Sequence, residues 1–331
     1  MNFTARFFIY APFALFILLA LGVTVLWFSQ AGAFSHRLDN LNGHKLMPGV
    51  TLRYASKRVE GFPFRLDVIF HDVEIEIDTP HGPSAWRTQN LALHRLTYDT
   101  GTTVFEAAGD QSLLWTDETG RHHAAPVAIG AVHASAVEAS DGLSRFDLVG
   151  AGIRMRSTEI DRLELHLRRQ KDGGEIEIYL AAGDMHEPAN AILGEHVSQL
   201  SLLGDVVPQK PLAKLASGDE DWPTAFRRLE ASGGRFDVKA FDAAFGRVHA
   251  RAKGVARLDS AYRPEFYLDF NVAPFRALAE GSLNVRLAKA IRDRAAAAGA
   301  DEAGVFHIVV GAKDGIIFAG SEPVGSVLTV F

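Results

Sequence analysis

Hydrophobic and polar side chains alternate over much of this chain, most clearly between residues 60 and 78. In EGFPFRLDVIFHDVEIEID, one set of apolar residues falls on even numbers and a second set on odd numbers: first Phe62, Phe64, Leu66, Val68 and Phe70, then Val73, Ile75 and Ile77. A period of two predicts a β-strand with one apolar and one polar face. The change of frame at His71–Asp72 indicates a β-bulge, and a tight hairpin is the weaker alternative because the turn residues are poor. Pro63 has no backbone donor, so the strand begins or lies at an edge there.

Short alternating segments bounded by turn residues recur from Val50 to the end of the chain. They are separated by roughly 8–14 residues, a spacing typical of an antiparallel meander. Only two helices are predicted, one within 217–234 and one within 275–298. We therefore predict a mainly β fold with a few helices: an elongated, curved antiparallel sheet that is a meander or an open groove. A sheet folded onto itself in a sandwich-like manner is the alternative.

The N-terminal part of the chain carries an uncharged apolar segment at residues 7–28. As a helix rising ~1.5 Å per residue it spans about 33 Å, close to the thickness of a hydrocarbon core. Arg6 precedes it and no further Lys or Arg occurs before Arg37, so the positive-inside rule directs the N-terminus to the cytoplasm. The expected organisation is a cytoplasmic tail at 1–6, a transmembrane anchor at 7–28, a linker at 29–49 and a β-rich extracytoplasmic domain at 50–331, with a lobe boundary near 208–220.

A cleaved signal peptide is the alternative to an anchor. The small residues of AGA at 31–33 fit a cleavage site. The apolar segment is longer than the ~7–15 residues usual for the apolar region of a signal peptide. This length favours an uncleaved anchor.

Composition narrows the classes of function. The chain has 331 residues, 47% of them hydrophobic, with a formal net charge of −6 and no cysteine. A sizeable core is therefore available, while the negative charge argues against a nucleic-acid partner. Without cysteine there are no disulfides, thiolate metal sites or cysteine nucleophiles. The sequence also lacks a glycine-rich phosphate loop, an H-E-x-x-H motif and a G-x-S-x-G elbow, so we expect no cofactor and no metal.

Acidic residues supply the one arrangement that resembles a catalytic site. Glu74, Glu76 and Asp78 share a strand face, where alternate side chains lie ~6.6 Å apart, within the range of an inverting carboxylate pair. An exposed acidic strand face is the more ordinary interpretation. The prediction is a protein that is not an enzyme, with a hydrolase as the alternative.

The predicted sheet has more apolar surface than two helices can cover. Either the sheet closes on itself or its apolar face forms a groove. Between residues 235 and 259 small apolar side chains alternate with basic ones, which leaves space for an acyl chain or for close packing of the second helix. The basic residues contact lipid phosphates or, as for most charged strand faces, solvent. The candidate groove residues are Phe62, Phe64, Leu66, Val68, Phe70, Ala250 and Ala252, and the basic stripe comprises Arg247, Arg251, Lys253 and Arg257.

Several motifs resemble a known family, the bacterial domain of unknown function 2125. They are VEGFPFR at 59–65, WR at 86–87, a run at 222–265 that contains GGRFDV and FGRVHARAKGVARLD, and KDGIIFAGSEPVG at 313–325. Gly61, Pro63 and Arg65 belong to the most distinctive of these motifs. The chain departs from the family pattern at Phe245–Gly246, where Trp-Gly is expected, and in lacking a proline-rich closing strand. The resemblance implies a membrane-anchored envelope protein with no assigned activity and no assigned catalytic residues.

The layout is in turn similar to that of AsmA-like envelope proteins, in which an anchor precedes a long sheet proposed to conduct lipid. This similarity implies a single-pass protein of the bacterial inner membrane, with its C-terminal domain in the periplasm and phospholipid or fatty acyl chains in an apolar groove. The expected function is lipid handling in envelope maintenance, and the alternative is a scaffold that binds other envelope proteins without a ligand. About 18 strands at ~4.8 Å reach only ~85 Å, which favours an accessory role over a bridge between membranes.

Overall fold

The computed structural model places one long helix ahead of a single large sheet. It describes residues 3–79, 81–99, 101–117, 119–170, 174–186, 196–274 and 305–327 together with 289, 293 and 329, and side chains from residue 15 onward. The first elements are α1 (Phe3–Asp39), β1 (His44–Met47), β2 (Val50–Arg53), β3 (Ser56–Glu60), β4 (Arg65–Thr79), β5 (Gly82–Leu96), β6 (Thr102–Thr116), β7 (His122–Ala139), β8 (Gly142–Met155) and β9 (Thr158–Arg169). The second group is β10 (Ile176–His186), β11 (His196–Val207), a 3₁₀ turn (Lys210–Leu212), α2 (Ala213–Ala216), α3 (Trp222–Ala231), β12 (Arg235–Phe245), β13 (Val248–Leu258), β14 (Pro264–Ala273), β15 (Phe306–Lys313), β16 (Ile316–Ala319) and β17 (Glu322–Ser326).

The spatial order of the strands follows their order in the chain. At one edge, β1 pairs with β2, while β2 and β3 pair with the second and first halves of β4. From β4 to β17, each strand is antiparallel to the strand before it. The predicted mainly β fold with an antiparallel meander is confirmed. The sandwich-like alternative does not apply, because all the described strands belong to one open sheet.

The change of hydrophobic frame in β4 occurs without an inserted residue. Leu66, Val68 and Phe70 are buried before the change, and Val73 is buried after it. The register with β5 is constant across this point, and Asp72 adopts a φ of +51°. A left-handed residue, which Asp tolerates better than most, reverses the side on which later side chains project. The predicted β-bulge in β4 was therefore wrong in mechanism, although the predicted exchange of faces occurs.

The same exchange of faces crosses several neighbouring strands. Left-handed residues occur at Asp72 in β4, Gly109 in β6, Gly152 in β8 and Asp184 in β10, with φ values of +51°, +85°, +61° and +47°. The residues that pair with them on the intervening strands lie on the same line across the sheet. The pairing register shifts where this line crosses β6. We call this line the crease. Each strand exchanges its two faces at the crease. The apolar residues before the crease and those after it therefore lie on the same face of the sheet.

The first helix extends well beyond the predicted anchor. α1 continues to Asp39, so residues 29–39 are helical and β1 starts at His44, where the sequence predicted a linker at 29–49. The reason is packing. Trp27 and Ala31 are buried against Leu66 of β4, and Leu38 joins the buried cluster of β2 and β4. A helical face with this much buried apolar surface is more stable docked than unwound.

A short helical segment separates β11 from β12. The helix predicted within 217–234 is α3, whose N-cap Asp221 accepts a hydrogen bond from the Thr224 amide at 2.9 Å. Leu212, Ala225 and Leu229 form its buried cluster. β11 pairs directly with β12, so the sheet continues across 208–220, where a lobe boundary was predicted. The second predicted helix, at 275–298, lies outside the described residues except for 289 and 293.

Candidate functional site

One face of the sheet carries a double row of apolar side chains from β4 to β15, interrupted only at Gly150 in β8. Val68 and Phe70 lie opposite Leu93 and Leu91, and each pair then faces the corresponding pair on the next strand. The row continues through Phe105 and Ala107, Ala134 and Val132, Leu148 and Gly150, Leu165 and Leu163, Leu180 and Ala182, Leu202 and Leu200, Phe241 and Ala243, Ala252 and Ala250, Phe270 and Val272, and Ile308 and Phe306. It spans twelve strands, or eleven steps of ~4.8 Å, giving a length of ~53 Å.

An apolar groove lies on this face between β2 and β8. Its volume is about 360 Å³, within the range of roughly 300–1,000 Å³ found for small-molecule sites. The groove lies on both sides of the crease and also contacts α1. Every lining residue is apolar: Leu38, Leu46, Leu52, Phe70, Ile75, Trp86, Leu91, Leu93, Phe105, Ala107, Val132, Ala134, Phe146 and Leu148. The one polar side-chain atom of this lining, the Trp86 indole Nε1, already donates to Gln111 at 2.9 Å, so the lining matches a hydrocarbon.

Burial varies along the apolar row. At the β4 end, Val68 and Phe70 are almost completely buried, and toward β15 so are Ala250, Val272 and Phe306. Between these ends Ala182 and Ala243 are buried, but most of the larger side chains are only partly buried, and Leu180 in β10 is 39% exposed. The central part of the face is therefore the part that is accessible to a ligand.

The candidate groove residues are divided among four environments. Phe70 lines the groove, and Val68 is buried beside it in the same cluster. Leu66 packs against α1. The other four lie elsewhere. Phe62 and Phe64 are exposed in the turn before β4, whereas Ala250 and Ala252 are buried, Ala250 within a packed cluster of β11 to β14.

Gly61, Pro63 and Arg65 shape the turn at the start of β4. Gly61 has a φ of +95°, and a Cβ at this position would lie 2.8 Å from the Arg65 carbonyl oxygen. The Arg65 amide donates to the Gly61 carbonyl at 2.9 Å, and the Trp27 indole Nε1 donates to the Arg65 carbonyl at 2.7 Å. The glycine is thus required for a turn that is joined to α1.

The basic stripe on β13 is largely paired with acidic residues of its neighbouring strands. Arg251 donates to Asp242 at 2.9 Å and Arg257 donates to Glu265 at 2.9 Å. Lys253 lies opposite Asp269 in the register, and Arg247 is in the turn between β12 and β13. This arrangement is typical of a solvated strand face, the ordinary interpretation of the stripe, and it leaves little unpaired charge for lipid phosphates.

The acidic face of β4 is also paired. Glu74 accepts hydrogen bonds from Arg53 at 2.8 Å and Arg87 at 2.5 Å, and Glu76 accepts one from Arg53 at 2.9 Å. Partial burial opposes ionisation of Glu74, but the hydrogen bonds from the two arginines outweigh it and hold the pKa of that carboxyl below its usual value. A glycosidase acid needs a raised pKa, so this carboxyl is poorly suited to donate a proton.

Histidine–carboxylate pairs recur on the polar face. His94 Nδ1 lies 2.7 Å from Asp67 and His166 Nδ1 lies 2.6 Å from Asp147. Burial opposes ionisation of Asp147, but hydrogen bonds from His166 and from Arg145, at 2.5 Å, outweigh it and lower the pKa of this carboxyl. Within the part of the chain that the structure describes, no group of three or more such side chains is arranged to hold a metal ion.

Sequence reasoning missed the contribution of α1 to the groove. Trp27, Ala31, Phe34 and Leu38 contact the sheet, at spacings of four, three and four residues. That spacing is the signal of a buried helical face. It was present in the sequence immediately beyond the apolar segment and would have extended the helix through the supposed linker.

A comparison with family models supports the resemblance seen in the sequence. The family described as "Uncharacterized protein conserved in bacteria (DUF2125)" matches residues 27–327. No curated protein and no solved structure matches the chain.

Proposed function

This chain belongs to the DUF2125 family of bacterial proteins, and we propose that it is a membrane-anchored periplasmic protein that binds acyl chains in its apolar groove without catalysing a reaction. The observation that carries the proposal is the groove of about 360 Å³ with fourteen apolar lining residues. A scaffold that binds only proteins requires no such cavity. A substrate-binding pocket normally includes a few polar groups that orient its ligand, and the one such side-chain group in this lining, the Trp86 indole N–H, is already bonded to Gln111.

The proposed anchor is α1. Over Leu15–Asp39 this helix is long and apolar enough to cross a membrane, a property that a signal sequence shares. Cleavage at the small residues 31–33 would remove Trp27 and Ala31, which cover Leu66 of β4. The buried contact favours a mature protein that retains the whole helix.

The groove lies close to the proposed membrane surface. Leu38, one of the groove residues, follows Trp27 by eleven helical residues, which is ~16 Å along the helix axis. Trp27 stands near the end of the uncharged segment, where aromatic residues mark the interface of a bilayer. Acyl chains from the same membrane are therefore the nearest source of an apolar ligand.

Photocrosslinking in intact cells tests this proposal. A photoreactive phenylalanine analogue replaces Phe105, which lines the groove, or Glu106, the next residue of β6, which projects from the opposite face. After irradiation, the full-length protein is purified and digested, and the peptide adducts are identified by mass spectrometry. We expect phospholipid or fatty-acid adducts at Phe105, at a yield at least tenfold above that at Glu106.

The two positions form a matched pair because they are consecutive residues of one strand. Equal lipid adducts at both would indicate only non-specific contact with detergent or membrane. Protein adducts at Phe105 in place of lipid would favour the scaffolding function.

A further inference from the structure

The structure carries a second apolar surface, outside the groove, in the turn between β3 and β4. We propose that this turn, Gly61–Phe64, enters the interfacial layer of the bilayer in which α1 is anchored. The inference rests on the proposed anchor, but it does not require that the groove binds lipid. We refer to residues 61–64 as the interfacial turn.

Exposed aromatic side chains distinguish this turn. Phe62 is 52% exposed and Phe64 is 60% exposed, although both are large and apolar. Phe28, on the adjacent face of α1, is 63% exposed. Three neighbouring phenylalanines that face solvent mark an interaction surface, and isolated exposed apolar residues do not.

Contacts with α1 fix the height of the turn relative to the membrane. The Phe62 ring lies 5.5 Å from the Trp27 ring and 6.2 Å from the Phe28 ring, measured between centroids. Trp27 and Phe28 are the last residues of the uncharged segment and so lie at the interface if α1 spans the bilayer. The interfacial turn is held at the same level because Phe62 packs directly on both residues.

Charged residues limit how far the turn can enter. Arg58 and Glu60 form an ion pair on one side of the turn, and Arg65 pairs with Asp67 at 3.0 Å on the other. Between them, residues 61–64 carry no charge. This pattern fits a shallow apolar tip with a polar rim at the headgroups, and it makes a bilayer a better partner than a second protein surface.

The absence of cysteine allows a direct measurement of depth. Single variants Phe64→Cys, Leu19→Cys and Arg121→Cys of the full-length protein are labelled with an environment-sensitive fluorophore. They are reconstituted in phosphatidylethanolamine–phosphatidylglycerol vesicles in which some lipids carry a quencher near the headgroup and others carry one on the acyl chain. Leu19 lies within the proposed span and is the control for a label in the membrane. Arg121 is the control for a label far from it: it lies in the turn after β6, and the length of that strand, about 46 Å, separates it from the strand's start.

We expect quenching of the Phe64 and Leu19 labels to be at least twofold greater than that of the Arg121 label. A further change, Phe62→Glu in the Phe64→Cys protein, is expected to reduce the quenching of the label about twofold. A Phe64 label that behaves like the Arg121 label while Leu19 is quenched would overturn the inference and leave the anchor intact. Loss of quenching at Leu19 would overturn both. A blue-shifted Phe64 label that lipid-borne quenchers do not reach would indicate a protein partner and would also overturn the inference.

Discussion

Two alanines on the same face of the sheet are predicted to respond in opposite ways to replacement by tryptophan. Ala134 of β7 lines the groove of about 360 Å³. Ala250 of β13 is 7% exposed, faces Ala243 and Val272 on its neighbouring strands, and belongs to a buried cluster. Ala134→Trp and Ala250→Trp therefore add the same side chain to an open site and to a filled one.

The expected free energies follow from these environments. Overpacking a filled cluster costs about 1–3 kcal/mol, so Ala250→Trp should lower the free energy of unfolding by about 2 kcal/mol. In the groove, burying about 100 Å² of the added indole gains ~2.5 kcal/mol at ~25 cal/mol per Å². Lost side-chain entropy and local adjustment offset part of that gain. The net effect of Ala134→Trp on stability is expected to lie between zero and about +1 kcal/mol.

Urea unfolding of the full-length protein in mild detergent, followed by far-UV circular dichroism, measures the difference. With a slope of about 3 kcal/mol per M, the loss predicted for Ala250→Trp lowers the midpoint by about 0.7 M. The midpoint of Ala134→Trp should equal or exceed that of the unchanged protein, while lipid crosslinking at Phe105 falls. Equal destabilisation by both variants would refute the reasoning, since it would show that the groove is already filled by the protein itself.

Three further predictions concern stability. Gly254→Ala should destabilise the protein by more than about 2 kcal/mol, because the added Cβ would lie 2.0 Å from the Tyr267 carbonyl oxygen. Gly183→Ala is the control: no atom lies within 4 Å of its added Cβ, so it should be neutral or gain about 0.5 kcal/mol. Similar urea midpoints for the two variants would contradict this prediction. Asp221→Ala should cost α3 about 1 kcal/mol by removing its N-cap, and Asp221→Asn should restore most of the loss, as measured by urea midpoints. If Asn is as harmful as Ala, capping is not the cause. The pKa of Asp147 is lowered in the folded protein from an ordinary value of 3.8. Its ionised carboxylate therefore contributes to the free energy of unfolding above pH 3.8, and this contribution is lost as the pH falls further. The difference in urea midpoint between the unchanged protein and Asp147→Asn should therefore be nearly constant between pH 5 and about pH 4 and shrink steadily as the pH falls below 3.8, and a difference that does not change with pH below 3.8 would contradict this origin.

The alternating pattern was sufficient to predict the mainly β fold and the meander. Each strand pairs with its neighbour in the chain, so local alternation and the turns between segments contain most of the topology. The pattern around His71–Asp72 also revealed the exchange of faces. It could not show how the exchange is made, because an inserted residue and a left-handed φ at Asp72 produce the same hydrophobic spacing.

The location of the groove could not be read from one strand at a time. Ala134 and Ala250 look alike in the sequence, each a small residue in an alternating segment. They differ because the face is partly buried at β7 and filled at β13, a property set by distant parts of the chain. Phe62 and Phe64 continue the numerical pattern of Phe70, yet they precede β4 and lie in a turn beside α1. Periodicity gives the face of a residue only within a strand.

The crease restricts how the length of this sheet can change during evolution. Left-handed residues lie on β4, β6, β8 and β10, which are alternate strands that run in the same direction. Inserting or deleting one strand would reverse the direction of every later strand and place these residues on the wrong set. A whole hairpin preserves both direction and alternation, and it lengthens or shortens the apolar row by ~9.6 Å. Relatives of different length should therefore differ by pairs of strands, so that the hairpin is the unit in which the reach of the protein is adjusted.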